Sequence, residues 1–131
     1  MEALKYFEEG YSCSESLIKE AIDIDICDES LLPAATAFSA GMSSGCLCGA
    51  IAASQLIIGS LYGKNNKFGN EQKAREIAAE FIQKFKQTFP ATCCRVLSKD
   101  YEFHSPERRE HCKLIVKHCS ELVKEITLQK V

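Results

Sequence analysis

The stretch SSGCLCGAIAASQLIIGSLYG, residues 43–63, decides the fold of this chain. From Cys46 to Tyr62 it is apolar on nearly every side, interrupted only by Gly49, Ser54, Gln55, Gly59 and Ser60. A segment with no polar face reads as a helix buried at the centre of a protein. It is short and interrupted for a membrane span, which needs about 20 predominantly apolar residues, so no membrane insertion is expected. Two cysteines, Cys46 and Cys48, stand one residue apart where it begins. On a helix they would point about 200° apart and could not share one ion. Only an extended backbone would put them on one face.

The flanking segments are helical too. Ala3, Leu4, Tyr6 and Phe7 suggest a short opening helix that Gly10 ends. The run S-x-x-E from Ser12 to Glu15 is a capping box, and Leu17, Ile18, Ala21 and Ile22 follow at helical spacing. Asp28 or Ser30 caps a third helix with Pro33 in its first turn and Gly41 as its stop. The loop GKNNKFGN (63–70) is exposed turn material. Asn70 and Glu71 open an amphipathic helix whose apolar face runs Ala74, Ile77, Ala78, Phe81, Ile82 and Phe85, and Pro90 breaks it. ATCCRVL predicts a turn or two of helix capped by Thr92. Ser105, Pro106 and Glu107 start the last helix, with the stripe Cys112, Ile115, Val116, Cys119, Leu122, Val123 and Ile126. No stretch reads as a strand. The expectation is an all-α, single-domain bundle over residues 1–131, of about six helices around a central one near 46–62.

Hydrophobic residues make up 46% and charged residues 26% of the 131 residues, a globular mix long enough for a sizeable core. The formal net charge is −2, with Lys and Arg spread along the chain. That leaves no basic stripe for nucleic acid and no polybasic anchor for a lipid surface. The charged start, MEALKYFEEG, lacks an apolar export core and points to the cytoplasm. No Ser-His-Asp set, phosphate-cradling glycine loop or glycosidase carboxylate pair is present, so the residues name neither a reaction nor a substrate.

Cysteine is the anomaly, with eight residues at positions 13, 27, 46, 48, 93, 94, 112 and 119. In a cytoplasmic chain this number points to metal binding, redox chemistry or buried packing rather than structural disulfides. The absence of C-x-x-C argues against a thioredoxin-type site and a zinc ribbon. Cys13, Cys48 and the pair Cys93 and Cys94 fall at predicted helix starts, where the macrodipole and free N–H groups lower a thiol pKa. Arg95 beside Cys94 makes Cys94 the best attacking thiol. Cys112 lies mid-helix on the buried stripe and would join a site by facing inward. Cys27 and Cys119 read as small hydrophobes. His104, His111 and His118 read as solvated-face residues.

Four of these segments, in order, resemble the C-GCAxxG-C-C family of redox-active proteins. GYSCSESL (10–17) is similar to its first cysteine segment, and residues 37–63 to its glycine-rich approach and CGAxxG motif. FKQTFPATCCRVL (85–97) resembles a segment ending in C-R-x-L, and RREHCKLIV (108–116) the last one. The resemblance implies that Cys13, Cys48, Cys94 and Cys112 are the family cysteines, with Cys46 and Cys93 as extras. Ala53 stands where the motif has its last glycine and Pro90 where a glycine is usual, which touches backbone packing more than thiol chemistry. A more distant likeness to the cluster-carrying part of split-Soret cytochromes implies an iron–sulfur centre on those four thiols.

Four readings stand. The first is an iron–sulfur or electron-transfer module, since four thiolates are the usual complement of either common cluster. A metal-free dithiol–disulfide protein comes next, then a structural zinc site, then a helical interaction protein with a cysteine-rich core. The redox partner is unspecified. Gly59-x-x-x-Gly63 would tolerate close helix packing, including across a homodimer.

Overall fold

The helix expected at the centre is there, and it starts later than its apolar run. In the computed structural model, which describes residues 2–128, it spans Gly49–Tyr62. Ala50, Ile51, Ala53, Ser54, Ile57 and Ile58 on it are buried. Numbered in chain order, α1 is Glu2–Glu8, α2 Cys13–Asp23, α3 Leu31–Thr36 and the central helix α4. Then come α5 Gln72–Thr88, α6 Cys94–Leu97 and α7 Pro106–Leu128. Helices α2, α5 and α7 surround α4; α1 lies on α2 and α7, and α3 on α2. The protein is an all-α bundle. Among the described residues no strand forms, and a lone antiparallel bridge pairs Leu47 with Cys93.

Local chemistry accounts for most of the boundaries. The capping box forms in full: the Glu15 N–H donates to Ser12 Oγ at 3.2 Å, and the Ser12 N–H to Glu15 Oε1 at 2.9 Å. Thr36 Oγ1 also donates to the Glu15 carboxylate, at 2.6 Å, which ties the end of α3 to the start of α2. Ser105 caps α7 by accepting the Arg108 N–H at 3.1 Å. The stripes of α5 and α7 are buried as their periodicity predicts: Ile77, Phe81 and Phe85 on one, Ile115, Val116, Cys119, Leu122, Val123 and Ile126 on the other.

Three boundaries differ from expectation. Helix α3 ends at Thr36 rather than running to Gly41, because Ala40, Gly41, Met42 and Ser43 all take left-handed φ values of 54–65°. That conformation terminates a right-handed helix. Residues 46–48 are not helical, since their backbone pairs with the 92–94 segment instead. Cys93, not Thr92, occupies the N-cap of α6.

A buried carboxylate locks three helices. Glu20 on α2, only 6% exposed, accepts the Ala3 N–H of α1 at 2.9 Å and Ser120 Oγ of α7 at 2.6 Å. Lys124 Nζ lies 3.4 Å from it. Hydrogen bonds to a charged acceptor contribute more than neutral ones, and their loss strands buried donors. Glu20→Ala is therefore expected to destabilise the protein by about 3 kcal/mol, read from urea unfolding. An unchanged midpoint would show that the network does not hold the helices together.

Candidate functional site

Cys13, Cys48, Cys94 and Cys112, which are distant in sequence, line one cavity of about 440 Å³. Three of them come from the start of an element. Cys13 is the first residue of α2, Cys48 the N-cap of α4, Cys94 the first residue of α6, and Cys112 lies in the second turn of α7. Ser12, Ser105, Arg108 and Arg109 close the polar side of the cavity.

The bridge between Leu47 and Cys93 arranges two of the four thiols. The Cys48 N–H donates to Thr92 O at 2.8 Å, and the Cys94 N–H to Cys46 O. Side chains alternate along an extended backbone. With Leu47 opposite Cys93 on one side, Cys48 and Cys94 are turned to the other side, into the cavity. Cys46, whose backbone (φ −87°, ψ −133°) leaves the extended run, does not share the face of Cys48 and stays exposed outside the cavity, its thiol directed to Ser44 O at 3.9 Å. The Cys93 thiol donates to Gly45 O at 3.0 Å. The close pairs Cys46 and Cys48, and Cys93 and Cys94, thus each split into one cavity thiol and one outside it.

Two glycines allow the walls to meet. A Cβ on Gly49 would lie 2.6 Å from Phe38 O and 2.8 Å from Cys13 Sγ. One on Gly41 would lie 2.5 Å from the Cys94 Cβ, and Gly41 also needs its left-handed φ of 65°. Ala53, at the motif's last glycine position, is wholly buried within α4, and Pro90 is exposed after the end of α5.

The electrostatics reverse part of the sequence expectation. Burial pushes the Cys13 thiol up to about 12 from the usual 9.0, and the charges of Cys48 and Cys112 push the same way. Burial pushes Cys48 up to about 11, although the Ile51 and Ala50 N–H groups at the start of α4 pull it down. Burial also raises Cys112, against Arg108 and Arg109. The helix starts do act on Cys48 and Cys13 as the macrodipole argument requires, but desolvation of the charged form outweighs them.

The residues nearest the thiols also differ from those expected. Arg95 turns away from the cavity and donates to Ser44 O at 3.0 Å. Arg108 instead approaches Cys94, its Nη2 3.6 Å from the sulfur. The signal was present in RREHC, because Arg108 and Cys112 are four apart on a helix and share a face. His118 is not on a solvated face: it packs against Phe85 and Phe89, at 5.8 and 5.4 Å, with Nε2 buried and unpartnered among the described residues. His111 stacks on Tyr101 at 4.8 Å and hydrogen-bonds Leu97 O at 2.8 Å. His104 is exposed, as expected, and lies on the cavity rim. Cys27 and Cys119 are buried outside the cavity, in line with a packing role.

Among the described residues, no three His, Cys, Asp or Glu side chains are placed to hold a single metal ion. None of the helices there is long and apolar enough to cross a membrane. Residues 11–126 match the family model described as "Putative redox-active protein (C_GCAxxG_C_C)". Neither the curated proteins nor the solved structures contain a match.

Two measurements probe this geometry. Gly49→Ala forces a methyl group between Phe38 O and Cys13 Sγ and is expected to destabilise the fold by about 2 kcal/mol. Gly59→Ala, with open space around its Cβ, is expected to stabilise α4 by about 0.5–1 kcal/mol. Equal unfolding midpoints for the two variants would contradict the close approach. The second concerns pH. Cys13 and Cys48 bind their protons more tightly folded than unfolded, so their contribution is complete below about pH 9 and is lost as pH rises through about 11 and 12. Metal-free protein is expected to lose urea resistance across that window, and Cys13→Ala,Cys48→Ala to show a flatter profile. Parallel profiles would place the sensitivity elsewhere.

Proposed function

Because the chain belongs to the C_GCAxxG_C_C family and lines one cavity with four of its thiols, we propose that it is a redox protein holding an iron–sulfur cluster on Cys13, Cys48, Cys94 and Cys112. The observation that carries this reading is the convergence of those four thiols on one cavity of about 440 Å³. Four thiolates are the usual ligand set for a cluster. Thiols arranged around a space, with no three placed for one ion, suit a polynuclear group better than a single zinc. A bound cluster supplies one-electron transfer.

The protein's own residues favour loading of that kind. The thiols of buried Cys48 and half-buried Cys13 and Cys112 keep their protons when no cation is present, so loading releases protons and strengthens as pH rises. Positive helix starts at α2 and α4, with Arg108 and Arg109, offset the negative charge that four thiolates bring. Raised thiol pKa values count against Cys13 or Cys48 as free attacking thiolates at neutral pH. One observation favours the metal-free alternative: the Arg108 guanidinium, 3.6 Å from Cys94, would stabilise an attacking thiolate there.

Anaerobic purification with iron, zinc and acid-labile sulfide analysis separates the readings. The expected result is iron and sulfide in fixed proportion with thiolate-to-iron absorption. Single replacement of Cys13, Cys48, Cys94 or Cys112 by Ser should abolish it, whereas Cys27→Ser should retain it. A colourless, metal-free protein that titrates as a two-electron disulfide would instead make Cys94 the attacking thiol. Stoichiometric zinc without sulfide would overturn both.

A further inference from the structure

A second cavity, of about 380 Å³, lies against the first and shares Cys94, Ser98 and Arg108 with it. Its charge is one-sided. Arg95, Lys99 and Arg108 line it, and no carboxylate among the described residues does. None of these three cations forms a salt bridge among the described residues, although the chain carries a net charge of −2. Arg95 and Arg108 are steadied by other contacts: Arg95 by Ser44 O, and Arg108 by the Cys94 sulfur and by the Phe103 ring, whose centroid is 4.7 Å away.

The remaining walls add flat apolar surface. Phe103 is 61% exposed and Tyr101 37%, and His111 backs Tyr101 at 4.8 Å. Uncompensated cations beside exposed rings bind an anion with a flat apolar body better than either feature binds its own class of guest, because the charge and the apolar area are satisfied together.

We propose that this second cavity is a binding site for a small aromatic oxyanion, a ring carrying a carboxylate or a phosphate. The oxyanion lies against Arg95 and Lys99, the ring lies against Phe103, and the guest is placed beside Cys94. The site gives the four-thiol cavity a substrate side. It rests on the redox reading for its purpose but not for its existence, since binding requires no electron transfer.

Ligand-observed NMR titrations with phenyl phosphate, benzoate, phenol and inorganic phosphate, on protein as purified anaerobically, test it. Saturable binding of phenyl phosphate or benzoate is expected, and the stronger of the two identifies the oxyanion. Phenol and inorganic phosphate should bind several-fold more weakly. Arg95→Gln,Lys99→Gln should weaken the aromatic anion about tenfold, the loss of one or two charge-assisted contacts. Lys99→Glu, at an exposed position, guards against loop damage in the double variant and should show the same direction with an unchanged thermal midpoint. No binding, equal binding of phenol, or indifference to the charge variants would overturn the inference. Inorganic phosphate binding as tightly as phenyl phosphate would mark an adventitious ion only and overturn it equally. Cys112→Ser should leave this binding intact. Lost binding with iron and sulfide present defeats this inference alone, and intact binding without metal defeats only the cluster.

Discussion

The structure depends on how closely α4 approaches α2 and the end of the α3 loop at Gly49. There a hydrogen stands where any other residue would place carbon within 2.6 Å of Phe38 O and 2.8 Å of Cys13 Sγ. The contact sets the position of Cys48, the residue before it, relative to Cys13. It also lets the start of the most buried helix sit against the start of the best-capped one. The left-handed turn beginning at Ala40 follows from the same requirement. The chain must leave α3, pass Cys94 at the glycine of position 41, and return to α4 within a few residues. Three non-glycine residues held at positive φ each cost on the order of 1–2 kcal/mol, a strain that persists only where surrounding contacts fix the loop.

Two opposing terms act on the thiols gathered there. Desolvation favours the neutral form of Cys13, Cys48 and Cys112, while N–H groups at two helix starts and the guanidinium groups of α7 favour the charged form. Burial wins in the metal-free protein, which keeps these thiols protonated and unreactive. A cation at the site would reverse the balance, because its charge adds to a field already oriented for thiolates. Cys119 shows the limit of this argument. It is wholly buried, which raises its pKa well above the usual value, and Cys48 and Cys13 push the same way, yet it faces the core and not the cavity.

How much of this was legible in the sequence follows from the range of each interaction. The capping box at Ser12, the start of α7 at Ser105 and the stripes of α5 and α7 depend on residues a few positions apart, and all were readable. The identity of the cavity thiols came from the resemblance, since periodicity alone left Cys46 against Cys48 and Cys93 against Cys94 undecided. What separates Cys93 from Cys94 is a bridge between segments 46 residues apart, Leu47 and Cys93, and what separates Cys46 from Cys48 is the kinked backbone at Cys46, neither of which a local pattern encodes. The pKa direction departs from the sequence expectation for the same reason: a helix start is visible in sequence, whereas the desolvation that overrides it is a tertiary property. Arg95 is adjacent to Cys94 in the chain but not in space, where Arg108 approaches the sulfur instead. On a four-residue helix, neighbouring side chains diverge by about 100°.

That short helix is where site and fold meet most loosely. With four residues, α6 cannot persist on its own propensity, because nucleating a helical turn is unfavourable. It is held from outside: by the bridge at Cys93, by Arg95 on Ser44 O, and by His111 on Leu97 O. Cys13 and Cys48 open helices of 11 and 14 residues, and Cys112 lies within one of 23, all anchored by the core. Cys94 therefore opens the shortest of these helices, which reaches the core through Leu97. It is also the thiol shared by both cavities and touched by Arg108.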